Sequence, residues 1–157
     1  KVKIYISSGK IDEALMLCRN NPNPASRMLE KGISRIGRPL TDVNAAIENV
    51  GNLEVAKLEK GLPVLASVAG GAPMLGFLGT VMGMIQAFYD MANAGNNIDV
   101  TLLSTGIYQA MVTTVTGLTV GIIAYFAYNI LVASVEKVVF KMEATTSEFM
   151  DLLNEPA

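Results

Sequence analysis

The stretch Ala72-Pro73-Met74-Leu75-Gly76-Phe77-Leu78-Gly79-Thr80-Val81-Met82-Gly83 is the most informative in the chain. It sits inside a run from Gly61 to Tyr89 that carries no formally charged side chain. Crossing a bilayer takes ~20 apolar residues, so the run is long enough to span one. Ala72, Gly76, Gly79, Thr80 and Gly83 recur at helical spacing, leaving one helix face as nearly bare backbone plus a hydroxyl. Such a face predicts close approach by another element, and on periodicity alone that element is a neighbouring membrane helix.

Downstream, Asp90 closes the run, residues 91–99 (MANAGNNID) read as a short polar connection, and a second uncharged run extends over residues 100–135. As a helix at ~1.5 Å per residue this second run outreaches a hydrocarbon core of ~30 Å, so part of it is expected outside the lipid. It carries a small-residue line of its own: Gly106, Ala110, Thr114, Gly117 and Gly121. Thr113, Thr116 and Thr119 add hydroxyls beside it. A helical threonine can satisfy itself by bonding back to the preceding turn, which accounts for two of these four threonines. Thr80 and Thr114 are the candidates for lining an inter-helix cavity or pore, where a hydroxyl offers both a donor and acceptors. Gln109, the other polar side chain at this depth, can hydrogen-bond across helices as structural glue or line a path. Residues 136–157 are expected to form a helical tail, with Val139, Met142 and Phe149 among its apolar positions.

Upstream, Ile11, Ala14, Leu15 and Cys18 mark a helix that Asn20-Asn21-Pro22-Asn23-Pro24 ends. A second helix over residues 25–36 would bury Met28, Leu29, Ile33 and Ile36. After the break at Gly37-Arg38-Pro39, Thr41 or Asp42 is the expected cap of a charged amphipathic helix over residues 43–60. Apart from Gly61 and Pro63, no turn signal separates that helix from the first uncharged run, so one long helix bent near Pro63 or Pro73 is expected. The chain thus divides into a helical region 1–60, a span 61–90, a connection 91–99, a second span 100–135 and a tail 136–157.

Composition agrees with a membrane protein that has soluble portions: 51% hydrophobic, 17% charged, no His and no Trp. A net charge of −2 with no basic cluster gives no reason to expect nucleic-acid binding. Residues 1–60 hold ten of the twelve Lys and Arg, residues 136–157 the other two, and the connection none. By the positive-inside rule both ends are cytoplasmic and the connection faces the other side. The lone Cys18 excludes an intrachain disulfide and a multi-Cys metal site. No cofactor and no enzymatic activity are expected, because without His and with the acids outside the two runs no nucleophile-and-base set can be assembled. Neither run holds Asp, Glu, Lys, Arg or His, so any proton relay needs a charge from a partner. Beginning at Lys1, the chain is expected to be part of a longer protein.

Ala72-Pro73-x-x-Gly76-x-x-Gly79-Thr80-Val81-x-Gly83, then Gly106-Ile107-x-x-Ala110-x-x-x-Thr114-x-x-Gly117-Leu118 and Tyr128-Asn129, resemble the ExbB/TolQ family, which is related to MotA. The segment Gly9 to Arg19, with Pro22 and Pro24 after it, is similar to that family's cytoplasmic region. The resemblance, most like ExbB of the TonB-ExbB-ExbD system, implies an all-α inner-membrane protein of which this chain holds the second and third of three spans. It also implies a pentamer around an ExbD- or TolR-like single-span partner that supplies an intramembrane Asp. Thr80 and Thr114 would face that Asp, with Thr113 and Gln109 beside them, and Pro73, Gly76, Gly79, Gly83, Gly106, Ala110 and Gly117 would serve kink and packing. The assembly would pass proton motive force to a TonB-like protein, while membrane lipid surrounds the spans. Two positions depart from the family pattern: many relatives carry Glu at Gln109 and Pro at Ile123, which bears on the coupling ion and on the kink of the final span. A TolQ-type subunit of an envelope-maintenance system, an oligomeric scaffold without ion coupling and an autonomous channel are the competing readings.

Overall fold

In the computed structural model, residues 1–97 and 99–155 are described. All regular structure among them is helical: α1 (Val2–Ser7), α2 (Ile11–Asn20), α3 (Pro24–Ile33), α4 (Leu40–Leu58), α5 (Leu62–Asn93) and α6 (Val100–Asn154). The chain forms two compact units. One comprises residues 1–60 and 133–157, the other residues 61–132.

The first unit has an ordinary water-soluble core. Ala14 and Cys18 from the α2 stripe meet Met28 and Ile33 of α3, Val43 and Ile47 of α4, and Met142 and Phe149 of α6, all buried. Gly32 makes room at the centre: a Cβ there would stand 2.6 Å from Phe149 Cε1 and 2.7 Å from Ile47 Cδ1. α3 starts where Asn23 caps it, its side chain accepting from Ser26 N–H at 2.8 Å, with Pro24 in the first turn. α3 and α4 are tied by Glu54, whose two carboxylate oxygens each take one cation: Arg27 at 2.6 Å and Lys57 at 3.1 Å. The Arg27 hydrogen bond holds the Glu54 carboxyl below the usual carboxylate range; burial opposes it and Lys57 adds to it. Burial first, then the charge of Glu30, push the Cys18 thiol up.

Three local expectations are corrected here. α3 ends at Ile33 with Ser34 as its cap, so Ile36 falls in the turn that follows and is exposed rather than buried. α4 begins at Leu40 behind Pro39, so Thr41 and Asp42 lie in the first turn and neither caps it by a side chain. Asp42 still lies where the helix dipole favours an acid. The expected single long helix is broken at residues 59–61, where Gly61 takes φ 89°, a left-handed conformation open to glycine. Pro63 therefore opens α5 instead of bending a continuous helix, since the first turn has no partner for its missing N–H.

The second unit is the hairpin of α5 and the first part of α6, and its burial is inverted. Its buried residues are Gly76, Ala87, Ala110, Gly121 and Ala124. Met74, Phe77, Ile85, Tyr108, Ile123 and Phe126 are each more than three-fifths exposed. Of the span-length apolar windows in Leu40–Asn93 and Val100–Asn154, only 6% and 11% are buried. A surface of large apolar side chains around a small-residue core suits hydrocarbon as the surrounding solvent. α5 continues past the expected boundary at residue 90 to Asn93, and α6 opens with Asp99 accepting from Thr101 N–H at 2.8 Å. Within the expected connection, Ile98 lies outside the described residues.

Candidate functional site: the threonine cluster between α5 and α6

The small residues of the two runs meet each other. Ala87 packs at Gly106, Gly83 at Ala110, Gly79 at Thr113, Gly76 at Gly117 and Pro73 at Gly121, so the helices run antiparallel along one continuous seam. The backbones themselves are in contact: a Cβ on Gly117 would stand 2.5 Å from the Ala72 carbonyl, and one on Gly76 2.9 Å from that of Thr113. Pro73 cannot bond the Ala69 carbonyl, which lies alongside Gly121, 3.2 Å from where a Cβ would stand. Gly121 thus accommodates both the proline ring and the carbonyl it frees.

At mid-seam the glycines bring three hydroxyls together. Thr80 Oγ1 lies 2.9 Å from the Ala110 carbonyl, 3.2 Å from that of Gly76, and in hydrogen-bond contact with Thr114 Oγ1. Thr113 Oγ1 donates to Ala110 O at 2.7 Å and lies 3.4 Å from Gly76 O, as does Thr114 Oγ1. Each hydroxyl has one proton. Either Thr80 or Thr114 can donate in the contact between them; with Thr114 as the donor, the Thr80 proton goes to Ala110 O and Thr114 keeps its lone pairs free. Both Thr80 and Thr114 are half-buried.

The candidate residues separate into groups. Thr80, Thr113 and Thr114 join one cluster, framed by Gly76, Gly79, Gly83, Ala110 and Gly117. Thr116 and Thr119 are self-satisfied, bonding the Val112 and Val115 carbonyls at 2.8 Å. Gln109 is outside the cluster: it is exposed, and its amide makes no hydrogen bond among the described residues. Sequence reasoning missed Ala87, which packs at Gly106, and Ala124, both buried. One more helical step beyond Gly83 and beyond Gly121 reaches them.

Fold and site together define an all-α membrane protein whose two apolar helices meet through small residues around a hydroxyl cluster. The match to the model of the MotA/TolQ/ExbB proton channel family covers residues 20–144, and the chain belongs to that family. It is 32% identical over 131 residues to a putative biopolymer transport protein ExbB homolog of Methanothermobacter thermautotrophicus, covering 83% of this chain and 46% of that one. It is 30% identical over 149 residues to the Tol-Pal system protein TolQ of Pseudomonas aeruginosa, covering 86% and 64%. With the biopolymer transport protein ExbB of Aquifex aeolicus it shares 35% identity over 92 residues, covering 59% and 62%. The chain therefore spans about half to two-thirds of the length of these relatives.

Proposed function

We propose that this chain is the channel-forming stator subunit of an ion-driven motor in the bacterial inner membrane, coupling proton motive force to work on a TonB-type partner for outer-membrane transport. The supporting observation is the Thr80–Thr114 hydroxyl pair, set in two apolar runs, 61–89 and 100–135, without one Asp, Glu, Lys, Arg or His. In hydrocarbon a mobile proton needs an ionisable carrier. That carrier comes from outside the chain, as the Asp of an ExbD- or TolR-like single-span partner enclosed by a ring of copies, five by family likeness. Both ends of the chain face the cytoplasm, as its Lys and Arg distribution favours.

The resting hydroxyl arrangement suggests how the pair reads the partner. With Thr114 donating to Thr80 and Thr80 to the Ala110 carbonyl, Thr114 offers a lone pair, which suits a protonated carboxylic acid as donor. An ionised carboxylate is an acceptor only, so binding it requires Thr80 or Thr114 to turn its proton outward and give up an inter-helix bond. The two protonation states of the partner thus favour two states of the seam. Gln109, exposed beside the seam, is available to the same partner or to a neighbouring copy.

Replacing Thr80 or Thr114 with Val keeps the shape and removes the hydroxyl. The expected result is loss of motive-force-dependent uptake in a complex that still assembles; undiminished uptake would favour the scaffold reading. Ion flux through vesicles holding this chain alone would favour an autonomous channel. The likeness to the Pseudomonas TolQ supports a second reading, service in the Tol-Pal envelope system. Under it, the same variants leave TonB-dependent uptake intact and impair envelope integrity.

A further inference from the structure

The first unit carries two grooves on opposite flanks of α4, and their chemistry is complementary. One, of about 560 Å³, lies between α4 and the C-terminal part of α6; its apolar lining includes Met28, Met142 and Met150, and Glu48 and Glu143 are its acids. The other flank is lined by Lys31 and Arg35, with Asp42 beside them, and carries Leu53, which is 64% exposed. Among the described residues none of Glu48, Glu143, Lys31 and Arg35 has an ion-pair partner within the chain. At 100° per residue, positions 44, 48, 51, 52 and 55 of α4 point about 145° away from 42, 45, 46, 49, 50 and 53.

We infer that Leu53 of one copy, flanked by Lys31 and Arg35, docks into the methionine-lined acidic groove of the next copy. The inference rests on the ring assembly proposed above and names the surfaces that hold its water-exposed part together. Leu53 is an exposed large apolar side chain on a flank that also carries Ala45, Ala46 and Val50, with Lys31 and Arg35 at its edge. Methionines are flexible and polarisable, so a groove lined by three of them adapts to such a knob. Two acids repel each other, which disfavours a symmetric pairing of groove with groove. Joining unlike flanks instead gives a head-to-tail contact, the kind that closes into rings. Opposite charges around the knob fix the register of the contact and oppose wrong pairings.

The test is oxidative crosslinking of the full-length protein in native membranes, in a Cys18→Ala background, with oligomer mass measured in parallel on the uncrosslinked protein. Leu53→Cys together with Glu143→Cys is expected to give a ladder extending beyond the dimer, while each single variant gives none. Glu48→Lys with Glu143→Lys, read through a Leu53→Cys and Met150→Cys pair, is expected to lower the yield about tenfold. Adding Lys31→Glu and Arg35→Glu is expected to restore it. An oligomeric mass without the ladder overturns this docking surface and leaves the ring reading standing, whereas a monomeric mass overturns both. A dimer from Leu53→Cys alone overturns the head-to-tail arrangement.

Discussion

The two units bury opposite kinds of residue. In the first, Ile33, Ile47, Val43 and Phe149 are inside and the charges outside, except Glu54, which is buried and paired; in the second, glycine and alanine are inside while Phe77, Ile85 and Ile123 face out. Water rewards burying a large apolar side chain by about 1.5–3 kcal/mol, whereas a lipid tail is as apolar as leucine and rewards nothing. What holds α5 to α6 is then close backbone contact and the hydroxyl bonds that such contact permits. The threonine cluster exists because Gly76, Gly79 and Gly117 let the backbones touch.

The sharpest way to break this comparison is to make one chemical change in both units. Phe149→Ala is expected to cost about 3–5 kcal/mol, because Phe149 is 4% exposed and packs over Gly32. Phe77→Ala, at 65% exposure, should leave the seam nearly unaffected. Thermal melts followed by circular dichroism compare them, and equal losses would show that the second unit has a conventional core.

Next in size, Glu54→Gln should cost the first unit about 2–3 kcal/mol, less than the full penalty for breaking a buried pair because Arg27 is partly exposed. Its pH dependence separates the units further. Because the folded Glu54 carboxyl is held low, the unfolded chain takes up the proton first as pH falls. The contribution is complete above the unfolded value of ~4.3 and disappears as pH falls through the lower folded value. Acid titration by hydrogen exchange should therefore loosen α3 and α4 in wild type, less so in Glu54→Gln, and leave the α5–α6 seam intact, since no carboxyl lies within its apolar runs.

Glycine substitutions probe the second unit at about 1–3 kcal/mol. Gly117→Ala meets the Ala72 carbonyl at 2.5 Å, a backbone atom that cannot swing away, and should lower the melting temperature. Gly70→Ala, where nothing lies within 4 Å, should be neutral or slightly stabilising through helix propensity. Gly51→Ala in the first unit is the useful control: its closest neighbour is the flexible end of Met28 at 2.9 Å, so a smaller loss is expected than at Gly117. Smallest is Thr80→Val, for which removing one inter-helix hydroxyl should cost about 0.6–1 kcal/mol of hairpin stability. A loss above about 2 kcal/mol would mean that the cluster serves stability more than recognition.

Periodicity shows wherever one environment extends over several turns. The α2 stripe of Ala14 and Cys18, the α3 positions Met28 and Ile33, and both small-residue lines were evident from spacing alone. Boundaries were less evident, because Thr41 and Asp42 qualify as caps by type yet Pro39 starts the helix ahead of them. Ile36 matched the α3 period but lies past the helix end, and the break at Gly61 needed one residue's left-handed φ, which an otherwise helical pattern does not announce.

The sequence by itself determined that two apolar runs are each long enough to span a bilayer, that each carries a face of small residues with hydroxyls, and that neither run holds a charged side chain. Composition and a 3.6-residue period are properties of each helix alone, so no neighbour is needed to read them. Only the tertiary structure decided which residues meet across the seam, that Thr80 and Thr114 bond each other, and that Gln109 stays outside their cluster. Antiparallel register and backbone separation depend on how two surfaces fit, and at Gly76 and Gly117 that fit is decided by the space of a single methyl group.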